Sequence, residues 1–356
     1  MKKRGFYLAL LATLLASLVV GLGAYTRLVH AGLGCPDWPG CYGFLTVPET
    51  EHEIARAEML FPEAPVESDK GWAEMIHRYV AGALMLLVIA IVFQAFKYRS
   101  LPGQPIKLPL LILVLIILQA AFGMWTVTLK LWPQVVTAHL MGGFATFSLL
   151  FLLTLRLSGL QRSGFSRHAS RNGFGLKGLR LLAAAGLLVV VAQISLGGWT
   201  SSNYAALACP DLPYCQGQWF PSMNFTEGFD IGQSIGPNYL GGQLHAEART
   251  AIHFSHRLGA LITTLVLLLL VIASFRTANA IDTDHAMTPS ESGSLKRLAV
   301  LVLLALLVQV TLGLSNIIWS LPLAVAVAHN LGGALLLLSL VAMNYRLHIK
   351  PEALKP

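Results

Sequence analysis

Eight apolar runs of roughly 20 residues, the length a helix needs to cross about 30 Å of hydrocarbon, begin near Phe6, Glu74, Lys107, Val135, Leu179, Thr250, Leu295 and Leu323. No water inside a bilayer satisfies an open backbone, so runs of this length read as helices. With 55% of its 356 residues hydrophobic, 12% charged and a mean hydropathy of +0.65, the chain is too apolar for a soluble globule. The sequence predicts an all-α membrane protein with eight transmembrane helices.

The start, Met1-Lys2-Lys3-Arg4, imitates a signal peptide, but no convincing small-x-small cleavage site follows. The first run is therefore read as a retained span. Basic residues collect on one side: Lys2, Lys3, Arg4; Lys97, Arg99, Lys107; Arg156, Arg162, Arg167, Arg171, Lys177, Arg180; Arg276, Lys296, Arg297; Arg346, Lys350 and Lys355. Positive-inside topology then places both termini in the cytoplasm of a bacterial inner membrane. It also accounts for the net charge of +8 without a nucleic-acid partner. The other side carries a long acidic loop from Cys35 to Lys70 and all four cysteines, as Cys35-Pro-Asp-Trp-Pro-Gly-Cys41 and Cys209-Pro-Asp-Leu-Pro-Tyr-Cys215. In an oxidising periplasm these read as disulfides Cys35–Cys41 and Cys209–Cys215. One pair per loop is too few thiolates for structural zinc.

The halves repeat. Shifting the chain by 174 positions lays Thr200 on Thr26, Cys209 on Cys35 and Cys215 on Cys41. Glu74-Met-Ile-His77-Arg78 answers to His253-Phe-Ser-His256-Arg257, and His139-Leu-Met-Gly142-Gly143 to His329-Asn-Leu-Gly332-Gly333, with Gln119 as far before His139 as Gln309 before His329. Four spans per copy is an even number, so the copies point the same way through the membrane. The expected architecture is two tandem pseudo-symmetric four-helix bundles, residues 1–160 and 179–356, joined by a cytoplasmic linker over 161–178. A second cytoplasmic loop is expected from Thr277 to Gly293.

Four histidines, His77, His139, His256 and His329, lie just inside the starts of even-numbered spans, at similar depth beneath the outer surface. Ionisable side chains at membrane depth are costly and mark function. Small residues follow each of them (Ala81 and Gly82, Gly142 and Gly143, Gly259 and Ala260, Gly332 and Gly333), leaving room for a flat macrocycle against the backbone. Zinc or copper needs no such clearance, and no carboxylate or thiolate recurs beside all four. Two hemes, one per bundle, fit best. Arg78 and Arg257 are candidate propionate partners, and Trp125, Trp132, Trp199 and Trp319 candidate interface anchors. His30, His52, His168, His245, His285 and His348 are expected in solvated loops or tails. Glu74 precedes His77 by three residues where His253 precedes His256, so the halves differ chemically: a carboxylate can move protons or stabilise positive charge.

These residues together resemble the heme A synthase family, membrane enzymes that oxidise the C8 methyl of heme O to the formyl group of heme A. The resemblance covers nearly the whole chain. It implies heme b as cofactor in the carboxy-terminal half with His256 and His329 as axial ligands, and the substrate heme near His77 and His139 with Glu74 as the catalytic carboxylate. It further implies two successive oxidations through an alcohol and a geminal diol, structural disulfides in both outer loops, and partners in a heme O synthase, a redox donor or acceptor and a further copy of the chain. Three other readings compete: a quinol-linked di-heme electron-transfer cytochrome, a membrane thiol oxidoreductase using the cysteine pairs, and a non-enzymatic heme carrier.

Overall fold

A computed structural model describes residues 3–159, 175–284 and 289–349. Eight long helices cross the molecule: α1 (Phe6–Leu28), α3 (Ser68–Lys97), α4 (Lys107–Thr128), α5 (Pro133–Leu157), α6 (Gly175–Ser202), α8 (Ala246–Asp284), α9 (Pro289–Ile318) and α10 (Leu323–His348). All eight are long and apolar enough to span a bilayer. Two short helices, α2 (Glu51–Leu60) and α7 (Phe225–Gly228), lie in the loops at one end, and no strand occurs among the described residues.

Helices α1, α3, α4 and α5 each touch two of the others in a closed ring, and α6, α8, α9 and α10 do the same. The rings meet where α1 and α5 pack on α10 and α5 packs on α6. Lipid tails are as apolar as leucine, so burial does not drive such packing; close approach of backbones and interhelical hydrogen bonds do. Accordingly Ala9, Ala12 and Ala16 of α1 are buried, while Leu11, Leu14 and Leu18 on the same helix are exposed to the lipid side. Hydrogen bonds join α1 to α5 (Thr13 to Thr154, 3.0 Å), α5 to α6 (Thr137 to Ser202, 3.1 Å) and α10 to α6 (Asn344 Nδ2 to Ala183 O, 2.9 Å).

Several boundaries differ from the sequence reading. Helix α3 begins at Ser68, six residues before the apolar run, because its first turn is polar and adds nothing to an apolar count. The loop expected from Thr277 to Gly293 is largely helical: α8 continues to Asp284 and α9 begins at Pro289, whose fixed φ suits a first helical turn. The linker expected over 161–178 lies outside the described residues except for 175–178, which form the first turn of α6. His168, His285, Lys2, Arg162, Arg167, Arg171, Lys350 and Lys355 also lie outside them. The acidic loop contains α2, started by a Thr50/Glu53 capping box.

Candidate functional site

The disulfide loops cap the two rings in matching fashion. Cys35–Cys41 and Cys209–Cys215 are both bonded, with Cα separations of 4.7 and 4.6 Å. In each Cys-Pro-Asp the aspartate accepts from two backbone amides beyond the second cysteine: Asp37 from Tyr42 (2.6 Å) and Gly43 (2.8 Å), Asp211 from Gln216 and Gly217 (both 2.7 Å). Those amides, Gly217 foremost, hold the Asp211 carboxyl below its usual range. Tyr42 and Gln216 stand at φ 55 and 54, each followed by a glycine at positive φ that turns the chain back.

The residues expected to flank the histidines fasten these loops. Glu74 is buried, and its Oε2 accepts from Cys35 N at 3.0 Å while its Oε1 pairs with Arg78 Nη2. Arg78 Nη1 donates to the carbonyls of Asp37 (3.1 Å), Pro39 (3.3 Å) and Gly40 (2.5 Å). On the other ring Arg257 donates to Cys209 O (2.5 Å) and Tyr214 O (2.8 Å). His253 stands where Glu74 does, with Nδ1 3.2 Å from Cys209 N and Nε2 3.3 Å from Arg257 Nε. A neutral imidazole has one acceptor nitrogen, so only one of those donors is satisfied at a time. Both arginines, expected beside heme propionates, thus spend donors on loop carbonyls.

The four histidines lie on α3, α5, α8 and α10, one on every second helix. Each imidazole is laid against a glycine of a neighbouring helix. A Cβ placed on Gly23 (α1) would stand 3.0 Å from His77 Cε1; on Gly123 (α4), 3.4 Å from His139; on Gly197 (α6), 3.2 Å from His256; on Gly313 (α9), 3.1 Å from His329. The Nδ1 atoms of His77, His139 and His329 are buried without a hydrogen-bond partner. These four glycines went unread in the sequence, although their register is there: Gly197 lies 174 positions after Gly23, and Gly123 and Gly313 precede His139 and His329 equally.

The glycines after the histidines do something other than expected. Gly142, Gly259 and Gly332 lie against the side chains of Gln119, Gln193 and Gln309, whose amide atoms occupy the space a Cβ would need. Gly143 and Gly82 have nothing within 4 Å of that position. Among the tryptophans, Trp125 and Trp319 are exposed, as interface anchors are, but Trp199 is buried and donates to Gly228 O (2.8 Å), and Trp132 donates to Gln233 O (3.0 Å). The latter bond, with Gln134 to Ile231 O (3.0 Å) and Tyr239 N to Lys130 O (3.0 Å), draws the second outer loop across the α4–α5 turn. His30, at the end of α1, stacks on Tyr204 with ring centroids 5.6 Å apart, beside Arg27. His245 is exposed and pairs with Glu227.

Fold and site define a class: a multi-pass membrane protein with paired imidazoles set between helices and disulfide loops capping them. The chain belongs to the COX15-CtaA family of cytochrome oxidase assembly proteins, whose profile matches residues 6–341. It is 47% identical over 336 residues to a heme A synthase of Shewanella oneidensis, covering 94% of each chain. Heme A synthases of Nitrosospira multiformis (28% identical, 92% of this chain and 89% of the relative) and Rhizorhabdus wittichii (26%, 97% and 94%) are similar along the same length.

Proposed function

We propose that this chain is a heme A synthase, converting the C8 methyl of heme O to a formyl group by two successive oxidations through the alcohol. The observation that carries this reading is the set of four glycine-backed imidazoles in a chain 47% identical to a heme A synthase. The residues fit a heme: on each ring two imidazoles stand on helices that alternate with glycine-bearing ones, and buried, unpartnered ring nitrogens are what a metal ligand set would leave before loading. His256 and His329 would hold heme b, which supplies one-electron redox chemistry when bound. His77 and His139 would hold the substrate heme, with clearance beside His139 at Gly143.

Chain residues orient and shield the reacting carbon. The glycines let each imidazole lie flat on a backbone, and the disulfide loops close the end of each ring against water. Glu74, one turn before His77, carries a carboxylate whose oxygens meet an amide and a guanidinium, both donors only. Glu74 is the proposed catalytic carboxylate, moving a proton or stabilising positive charge on the substrate. The two rings are read as tandem copies, with both termini cytoplasmic and the histidines toward the periplasm; a heme O synthase and a redox protein are the proposed partners.

Extraction and chromatography of hemes from cells that supply heme O and express this chain test the assignment. Heme A or its alcohol precursor is expected. Unchanged heme O, with two equal and fully occupied heme b groups on the purified chain, would instead identify an electron-transfer cytochrome.

A further inference from the structure

The four histidine corners are not equivalent. At three of them the neighbouring helix carries Gln-x3-Gly and the histidine helix carries His-x2-Gly: Gln119 and Gly123 beside His139 and Gly142, Gln193 and Gly197 beside His256 and Gly259, Gln309 and Gly313 beside His329 and Gly332. In each the amide fills the gap at the histidine-helix glycine. At the fourth corner α1 has Val19 before Gly23, and α3 has Val80 three residues after His77. Both halves of the arrangement are replaced together, the polar side chain and the glycine that admits it.

Two of the glutamines reach their histidines, and Gln119 lies against Gly142 on the His139 helix. Gln193 Nε2 lies 3.0 Å from His256 Nδ1 and 2.9 Å from His256 O, and Gln309 Nε2 lies 3.3 Å from His329 Nε2. The Oε1 atoms of Gln119, Gln193 and Gln309 are all buried without a partner. Three orphaned acceptors at three matched places call for a donor. An imidazole that ligates iron through one nitrogen keeps a proton on the other, and an acceptor there fixes the ring and raises its basicity. A half-turn of the terminal amide exchanges its nitrogen and oxygen, so Gln309 can offer that acceptor, whereas Gln193 holds its ring through the nitrogen shared between His256 Nδ1 and the His256 carbonyl.

We propose that Gln119, Gln193 and Gln309 are positioning residues for His139, His256 and His329, and that Val19 and Val80 leave His77 as the one ligand with no side-chain brace, through which the substrate heme is exchanged. This rests on the assignment of the substrate to the amino-terminal ring. A resident heme then has two braced ligands. A substrate that must enter and leave on every turnover has one braced ligand and one that yields.

Two variants of the full-length chain, purified in detergent from cells supplying heme O, test this. Gln309→Leu removes one brace from the resident heme: heme content at limiting supply is expected to fall about tenfold, with altered g-values of the low-spin signal. The double variant Val19→Gln/Val80→Gly transplants a brace to His77. It should retain several-fold more substrate or product heme through purification and lower kcat and KM together, with the resident heme signal unchanged, which also reports correct folding. Parental heme content and g-values in Gln309→Leu, or parental retention and kinetics in a folded double variant, would overturn the proposal. If the parent forms no heme A yet Gln309→Leu shifts the signal as expected, the functional assignment fails while the bracing role stands.

Discussion

Replacing Glu74 by glutamine should release the first disulfide loop before it disturbs the helices. The Glu74 and Arg78 side chains are 7% and 12% exposed, so their pair is effectively buried, and the same carboxylate accepts the Cys35 amide at 3.0 Å. Removing one partner of a buried pair costs about 3–5 kcal/mol in general. Here Arg78 keeps three loop carbonyls and glutamine keeps one acceptor oxygen, which places the loss near or below the lower end, about 2–3 kcal/mol. At about 1.4 kcal/mol per factor of ten, loop opening becomes roughly 30- to 140-fold more frequent. Hydrogen exchange at the Cys35 amide and through residues 35–44 reads that frequency directly, because the amide exchanges only when its acceptor is withdrawn. The matched His253→Gln variant should raise exchange at Cys209 less, since a neutral imidazole satisfies only one of its two neighbours. Parental exchange at Cys35 in Glu74→Gln, or a larger effect at Cys209 than at Cys35, would refute the reasoning.

Gly23→Ala places a methyl 3.0 Å from His77 Cε1 and should displace the ring by a few tenths of an ångström; a marked loss of heme A formation is expected, with helix content by circular dichroism unchanged. Gly143→Ala meets no atom within 4 Å, so the same assay should show a folded protein whose KM for heme O rises more than its kcat falls. His256→Ala and His329→Ala should each abolish the bis-histidine low-spin signal of the purified chain, whereas His77→Ala should preserve it. The Asp211 carboxyl, held below its usual range by the amides of Gly217 and Gln216, contributes loop stability that is complete above the ordinary value of about 3.9 and lost as pH falls through the lower folded value. Trp219 fluorescence followed by acid titration should therefore change only below about pH 4, and Asp211→Asn should remove that step.

The spans were legible because about 20 apolar residues in lipid have few alternatives. Helix ends were less so: Ser68 begins α3 in polar sequence, and hydropathy is blind to a polar first turn. The four histidines and both disulfides could be read from composition and spacing. What could not was division of labour among neighbours. Arg78 and Arg257 look the same in sequence whether they meet propionates or carbonyls, and only the folded loops show donors directed at Gly40 and Cys209. The glycine after each histidine invited a macrocycle, yet in three cases a glutamine from another helix lies there, a contact between residues 23 to 66 positions apart. Trp199 has the composition of an interface anchor and the burial of a core residue, because its indole N–H found the Gly228 carbonyl.

The places where the two rings differ bear on how they divide their work. Backbone turns match closely: Ala31 N bonds Thr26 O and Ala205 N bonds Thr200 O at 2.9 Å, while Leu131 and Leu321 both stand at positive φ after equivalent helices. Loop geometry matches down to the aspartate acceptors. Against that background three chemical departures fall around one histidine. Val19 replaces a glutamine, Val80 replaces a glycine and Glu74 replaces a histidine, and all three lie on α1 or α3 at the His77 corner. Val19 and Val80 leave His77 without the glutamine that stands at the other three corners, and Glu74 sets a carboxylate, paired with Arg78, one turn away. On the proposed assignment, that is the corner where a heme that is bound, oxidised and released would find its more yielding ligand.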